Sequence, residues 1–94
     1  MNRFNNIDFI KIPMKILSNY QLSAGSKILF AEIISLAKKD GYCYASNKYL
    51  ANSLAVTPRI ITNRIKELKD ENLIEIEHPK SKKRRLFIVN KEQY

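Results

Sequence analysis

An α+β fold, with three main helices followed by a C-terminal β-hairpin, is what this sequence predicts. Three observations carry the expectation. Ser46 to Lys69, reading SNKYLANSLAVTPRIITNRIKELK, holds two short helical patterns separated by a tight break. Directly after it come a strand pattern, a basic turn and a second strand pattern. The third is charge: 17 Lys and Arg against 9 Asp and Glu give a net +8. At 94 residues the chain reads as one domain with room for a modest core. Its parts are an arm over 1–8, the helix pair over 46–69 and the hairpin over 73–90.

The N-terminal third supplies the support. Residues 1–8 are polar with Phe4 and Ile7 embedded, and read as a partly ordered arm. Phe9 to Pro13 (FIKIP) alternates weakly, as a short strand does, and Pro13 then opens a brief helical turn through Met14, Ile16 and Leu17. Ser18 to Gln21 reads as a loop anchored by a half-buried Tyr20. Ser23 has the chemistry of a helix cap, with Leu22 before it to staple the first turn. That helix runs to about Lys39 and stops at Asp40-Gly41, where glycine suits a left-handed residue. Ile28, Leu29, Phe30, Ile33, Ile34, Leu36 and Ala37 cover more than one of its faces. A helix this apolar is the central beam of a small core or part of a protein interface, and the first is preferred here. Tyr42 to Ala45 completes the region as a short strand.

In the helix pair, Ser46 caps a helix whose apolar residues are Tyr49, Leu50 and Leu54. Ala51 is small enough for a second helix to cross close by. Ala55 stands at the turn, where a left-handed conformation costs alanine roughly 1 kcal/mol. Val56 plugs the corner. Thr57 caps the second helix, and Pro58 takes its first position, where a missing N–H is harmless. Ile61, Ile65 and Leu68 recur at i, i+4 and i+7 and form one buried stripe. Arg59, Asn63 and Lys66 lie opposite, with Thr62 at the edge. Those side chains suit base edges and phosphates of a DNA major groove. Taken alone, the stretch also fits an ordinary helical hairpin; the sum of features describes a helix-turn-helix. The Thr57 end of the second helix is expected to enter the groove. Arg59 and Asn63 would then read bases, Thr62 and Lys66 would support them, and Ile60 would touch a thymine methyl. Ser46 and Lys48 are expected to hold the DNA backbone.

Asp70-Glu71-Asn72 ends the second helix. Leu73 to His78 (LIEIEH) alternates, with Ile74 and Ile76 inward and Glu75 and Glu77 outward, and Leu86 to Val89 is a second strand pattern. Between them Lys80, Lys82, Lys83, Arg84 and Arg85 make five basic residues in six. A basic hairpin directly after a helix-turn-helix is a wing. Its cations are expected on phosphate or in the minor groove of double-stranded DNA.

Other chemistries have little to stand on. No apolar run approaches a membrane span and no leader precedes a cleavage site, so the expectation is a soluble, cytoplasmic protein with no membrane partner. Cys43 is the single cysteine; it reads as a small apolar residue in a strand, with no internal disulfide and too few ligands for zinc. His78 is the single histidine, read as a residue at the base of the wing. Glycine-rich phosphate loops are absent from the sequence, and the carboxylates are scattered. An enzyme is not expected, nor a catalytic residue, a metal, a cofactor or a small-molecule ligand.

Four stretches carry a resemblance: FIKIP with the Leu17 turn, LSAGSKILFAEII, GYCYASNKYLANSLAVTPRIITNRIKEL and ENLIEIE. Through them the chain resembles the winged helix-turn-helix domains at the N-termini of plasmid and phage replication initiators. The resemblance implies that Gly41 to Ser46 leads into the helix-turn-helix and that Thr57 to Lys66 is the recognition helix. It also implies a role in origin recognition during replication or, because repressors share the fold, in operator binding during transcription. The rival from another class is a protein-binding adaptor or inhibitor that turns the same fold on an acidic partner. One copy offers few base contacts, so a homodimer is expected, in solution or on DNA. Its candidate surfaces are the Ser23–Lys39 helix and the arm with Phe4 and Ile7.

Overall fold

The structure, a computed structural model, describes residues 10–94. The expected arm with Phe4 and Ile7, and Phe9 of the expected first strand, lie outside the described residues. Over 10–13 the chain forms no strand: Pro13 has no N–H to give a ladder, and its carbonyl instead accepts the amides of Ile16 and Leu17. These bonds start α1 (Met14–Leu17), which buries Ile16. In the following loop the Gln21 N–H donates to Asn19 Oδ1 at 2.9 Å. That turn sends Leu22 into the core and leaves Tyr20 90% exposed, so the expected anchor is Leu22 and not Tyr20.

Helix α2 (Ala24–Ala37) is capped by Ser23, whose hydroxyl accepts the Ser26 N–H. It stops where Gly41, at φ +83°, returns its N–H to the Ala37 carbonyl at 2.8 Å. Leu29, Phe30, Ala31 and Ile33 are fully buried on it, and Ile34 packs against the same core. Of its larger apolar side chains, Ile28 alone is exposed. The helix is thus the central beam, its apolar faces consumed by the fold.

Helices α3 (Asn47–Leu54) and α4 (Pro58–Asp70) pack on one another, and α4 packs on α2. Strands β1 (Ile74–Glu77) and β2 (Arg85–Ile88) pair antiparallel, with Ile74 opposite Ile88 and Ile76 opposite Leu86. The pleat turns these four toward the core and turns Glu75, Glu77 and Phe87 away. β1 ends one residue short of the expected limit because His78 takes φ +51°. The expected strand over Tyr42–Ala45 reduces to one bridge: Cys43 and Leu86 exchange N–H···O bonds of 2.9 and 2.8 Å. The pairing goes no further because the chain must turn at Ser46 into α3. A short 3₁₀ turn, Lys91–Gln93, closes the described chain, and the Tyr94 ring meets Phe30 edge to face at 5.4 Å. Three main helices and a C-terminal hairpin make this an α+β winged helix-turn-helix.

Candidate nucleic-acid interface

The geometry begins at two caps. Ser46 Oγ accepts the Tyr49 N–H at 3.0 Å, and Thr57 Oγ1 accepts the Ile60 N–H at 3.2 Å. Both hydroxyls satisfy amides that a helix start would otherwise leave open. Between the caps Ala55 is left-handed, at φ 57° and ψ 43°. The Val56 N–H then closes onto the Ala51 carbonyl at 3.0 Å, and Ala51 is buried at the crossing. This turn sets the direction of α4. Ile61, Ile65 and Leu68 go inward, while Arg59, Thr62, Asn63 and Lys66 are exposed and Ile60 is half-buried.

These exposed side chains are not equally free. Lys66 Nζ lies 2.8 Å from Asp70 Oδ2, and that hydrogen bond raises the lysine's pKa. Both groups are exposed, and such pairs open at little cost. Thr62 is tied into the protein itself. Its hydroxyl donates to the Pro58 carbonyl at 3.1 Å and accepts from Asn47 Nδ2 at 3.0 Å. Arg64 leaves the polar face and lies across α2. Its guanidinium fills the space beside Gly25, where a Cβ would stand 2.2 Å from Arg64 Cζ. Nearby, Glu67 Oε1 accepts the Ser23 N–H at 2.9 Å. The Ser26 hydroxyl, then the Ser23 amide, hold the Glu67 carboxyl below its usual pKa.

The wing tip is a compact turn. Ser81 N–H donates to the His78 carbonyl, and Ser81 Oγ accepts from the Lys83 N–H at 3.0 Å. Lys80, Lys82 and Lys83 are exposed on it. Arg85 is exposed at the start of β2, with its guanidinium carbon 4.6 Å from the centre of the Tyr42 ring. Arg84 differs from its neighbours. It is half-buried, and burial lowers its pKa. One guanidinium nitrogen donates to Asn47 Oδ1 at 2.6 Å and another to the Ala45 carbonyl at 2.8 Å.

Two clefts flank Arg84. One, of about 370 Å³, runs between the wing and the start of α3, past Ser46, Asn47, Lys80 and Lys82. The other, of about 270 Å³, is walled by Tyr42, Tyr44, Lys82, Lys83 and Arg85. Among the described residues no acidic side chain lines either cleft. Sequence reasoning missed Asn47, Tyr42 and Tyr44. Alternation across Tyr42–Ala45 was the available signal for the tyrosines, which stand opposite the buried Cys43 and Ala45. Asn47 had no signal beyond its place after a cap.

Elsewhere the chemistry is quiet. Cys43 is fully buried, and burial pushes its thiol up to about 11. Among the described residues no group of His, Cys, Asp and Glu could hold a metal ion, and no helix is long and apolar enough to cross a membrane. A family model described as Helix-turn-helix domain matches residues 20–74, more than half of the chain, from the loop before α2 to the start of β1. No curated protein and no solved structure matches the chain. With the matched span covering α2, both helices of the pair and their turn, the chain belongs to the helix-turn-helix domain family of DNA-binding modules.

Proposed function

We propose that the chain acts as one domain, a cytoplasmic protein that binds double-stranded DNA with sequence preference. It works in origin binding of the replication-initiator kind or in transcriptional regulation. The observation that carries this reading is the division of α4: Ile61, Ile65 and Leu68 are buried, while Arg59, Thr62, Asn63 and Lys66 are exposed beside a basic wing. In this reading Arg59 and Asn63 bond base edges, Thr62 and Lys66 support them, and Ile60 meets a thymine methyl. The Thr57 end of α4 enters the major groove, and Ser46 and Lys48 hold the backbone at the start of α3. Lys80, Lys82, Lys83 and Arg85 neutralise phosphates or enter the minor groove, and Arg84 sits among them.

Competition at fixed salt tests the proposal, with a labelled duplex from the DNA flanking the protein's own gene set against random duplex. The parent should prefer the site. Arg59→Ala with Asn63→Ala should lose that preference, each bidentate pair being worth about 1–3 kcal/mol of discrimination, while keeping most non-specific affinity. A parent with no preference would overturn site reading and favour non-specific DNA binding or the adaptor role. A double mutant that keeps the preference would move base reading to another surface.

A further inference from the structure

Arg84 is the cation of the wing whose side chain is turned inward to protein acceptors. Its two bonds reach Ala45, just before the α3 cap, and Asn47, the first residue of α3. Asn47 is engaged at both ends of its amide: its oxygen accepts from Arg84 and its nitrogen donates to Thr62 Oγ1. Thr62 anchors itself to the Pro58 carbonyl in the first turn of α4. An unbroken polar chain therefore runs from the end of the wing turn, through the start of α3, to the exposed face of α4. Among the described residues no carboxylate is bonded to the Arg84 guanidinium, so neutral acceptors fix its direction.

We infer that Arg84 is a positioning residue for DNA recognition: acting through Asn47 on Thr62, it holds the wing and the base-reading face of α4 at one fixed spacing. The inference rests on the DNA-reading function proposed above and adds a division of labour within the basic run. Lys80, Lys82 and Lys83 meet the polyanion, whereas Arg84 sets where they stand. The guanidinium suits this role because its planar fork reaches two acceptors at once. A lysine ammonium on a flexible stem carries the same charge without that geometry. A duplex touched by wing and helix together then has its phosphates and bases read in one register. A loose wing would still attract DNA but would no longer favour the correct register over others.

The test uses Arg84→Lys, which keeps the charge, and Asn47→Ala, which removes the middle of the chain and leaves every charge in place. Without DNA, NMR amide relaxation should show the wing turn, Ser81 to Lys83, gaining mobility equally in both variants, with core amides unchanged. With DNA, both should lose site-over-random preference by about tenfold, in the range for residues sharing one hydrogen-bond network. The salt slope of binding should stay at the parent's value, and the double variant should be no worse than either single one. Wing amides that stay rigid in both variants would overturn the inference whatever the DNA results. So would an Arg84→Lys that behaves like the parent while Arg84→Ala lowers the salt slope by about 0.9, the mark of one phosphate no longer neutralised. A parent with no site preference would sink the proposed function instead, and the relaxation data would still decide whether the polar chain holds the wing.

Discussion

Ala55 and Glu32 each break a local rule. Ala55 takes a left-handed conformation that a β-carbon disfavours, and past it the Val56 N–H closes back onto the Ala51 carbonyl. Ala55→Gly should raise stability by about 1 kcal/mol. In a domain of this size that lifts the melting temperature by about 4–8 °C, and a thermal melt followed by circular dichroism checks it. Glu32 is 3% exposed in α2. One carboxylate oxygen accepts from Ser53 Oγ in α3, and the other has no hydrogen-bond partner among the described residues. Desolvation raises its pKa against the smaller opposing effect of the Ser53 bond. Between the ordinary carboxylate pKa and the raised one, the folded state binds more protons than the unfolded state. This residue's contribution to stability therefore falls as pH rises through that window. Replacing an incompletely satisfied buried charge by an apolar side chain of similar size is commonly stabilising. Glu32→Met should accordingly melt higher than the parent at pH 8, with a gap that closes toward pH 4. Melts of both proteins across that range decide it, and a gap independent of pH would refute the titration.

At the scale of elements, α2, α4 and the wing divide the work. The apolar faces of α2 make the core, α4 shares itself between core and solvent, and the wing hairpin carries charge outward. The proposed phosphate contacts predict how Lys80→Ala, Lys82→Ala and Lys83→Ala together change binding. Affinity should fall for site and random duplex alike, and the salt dependence should flatten by about 0.9 log unit for each phosphate no longer neutralised. Titrations over a series of salt concentrations measure this, and an unchanged slope would remove the wing from the interface. Arg59 and Asn63 are expected to behave oppositely, changing preference but not slope. The contrast separates the two elements because phosphate contacts carry no direct sequence information.

For the molecule as a whole, the open question is how many copies share a DNA site. One recognition helix reaches few bases, so pairing on two half-sites remains our proposal. The structure alters where such a dimer would form, since α2 spends its apolar residues on the core. Among the described residues the large exposed apolar ones are Met14, Leu17 and Tyr20, with Ile28 on α2. The ends of α1 and α2 are joined by Lys27 Nζ, which donates to the Leu17 carbonyl at 2.6 Å. Sedimentation with a specific duplex should find two protomers per duplex at saturation. Strictly one would refute the dimer, and Met14→Ser with Tyr20→Ser should weaken pairing if this surface mediates it.

Most of the architecture was legible because it obeys short-range rules. Ser23, Ser46 and Thr57 cap helices by reaching their own third neighbour. Ile61, Ile65 and Leu68 share a face because a helix repeats every 3.6 residues, and the wing strands alternate because a pleat repeats every two. These relations survive being read one stretch at a time. The misread elements depend on partners far along the chain. The strand expected at Tyr42–Ala45 is one bridge because only Cys43 meets Leu86 before the chain turns. Tyr20 is outside because Leu22 fills the place expected for it. Arg84 bonds a residue 37 positions away, and Ser23 donates its N–H to Glu67 across 44. A run of five cations reads alike residue by residue. Packing decides which one turns inward, since only the position beside the start of α3 offers two acceptors to a guanidinium already losing its water.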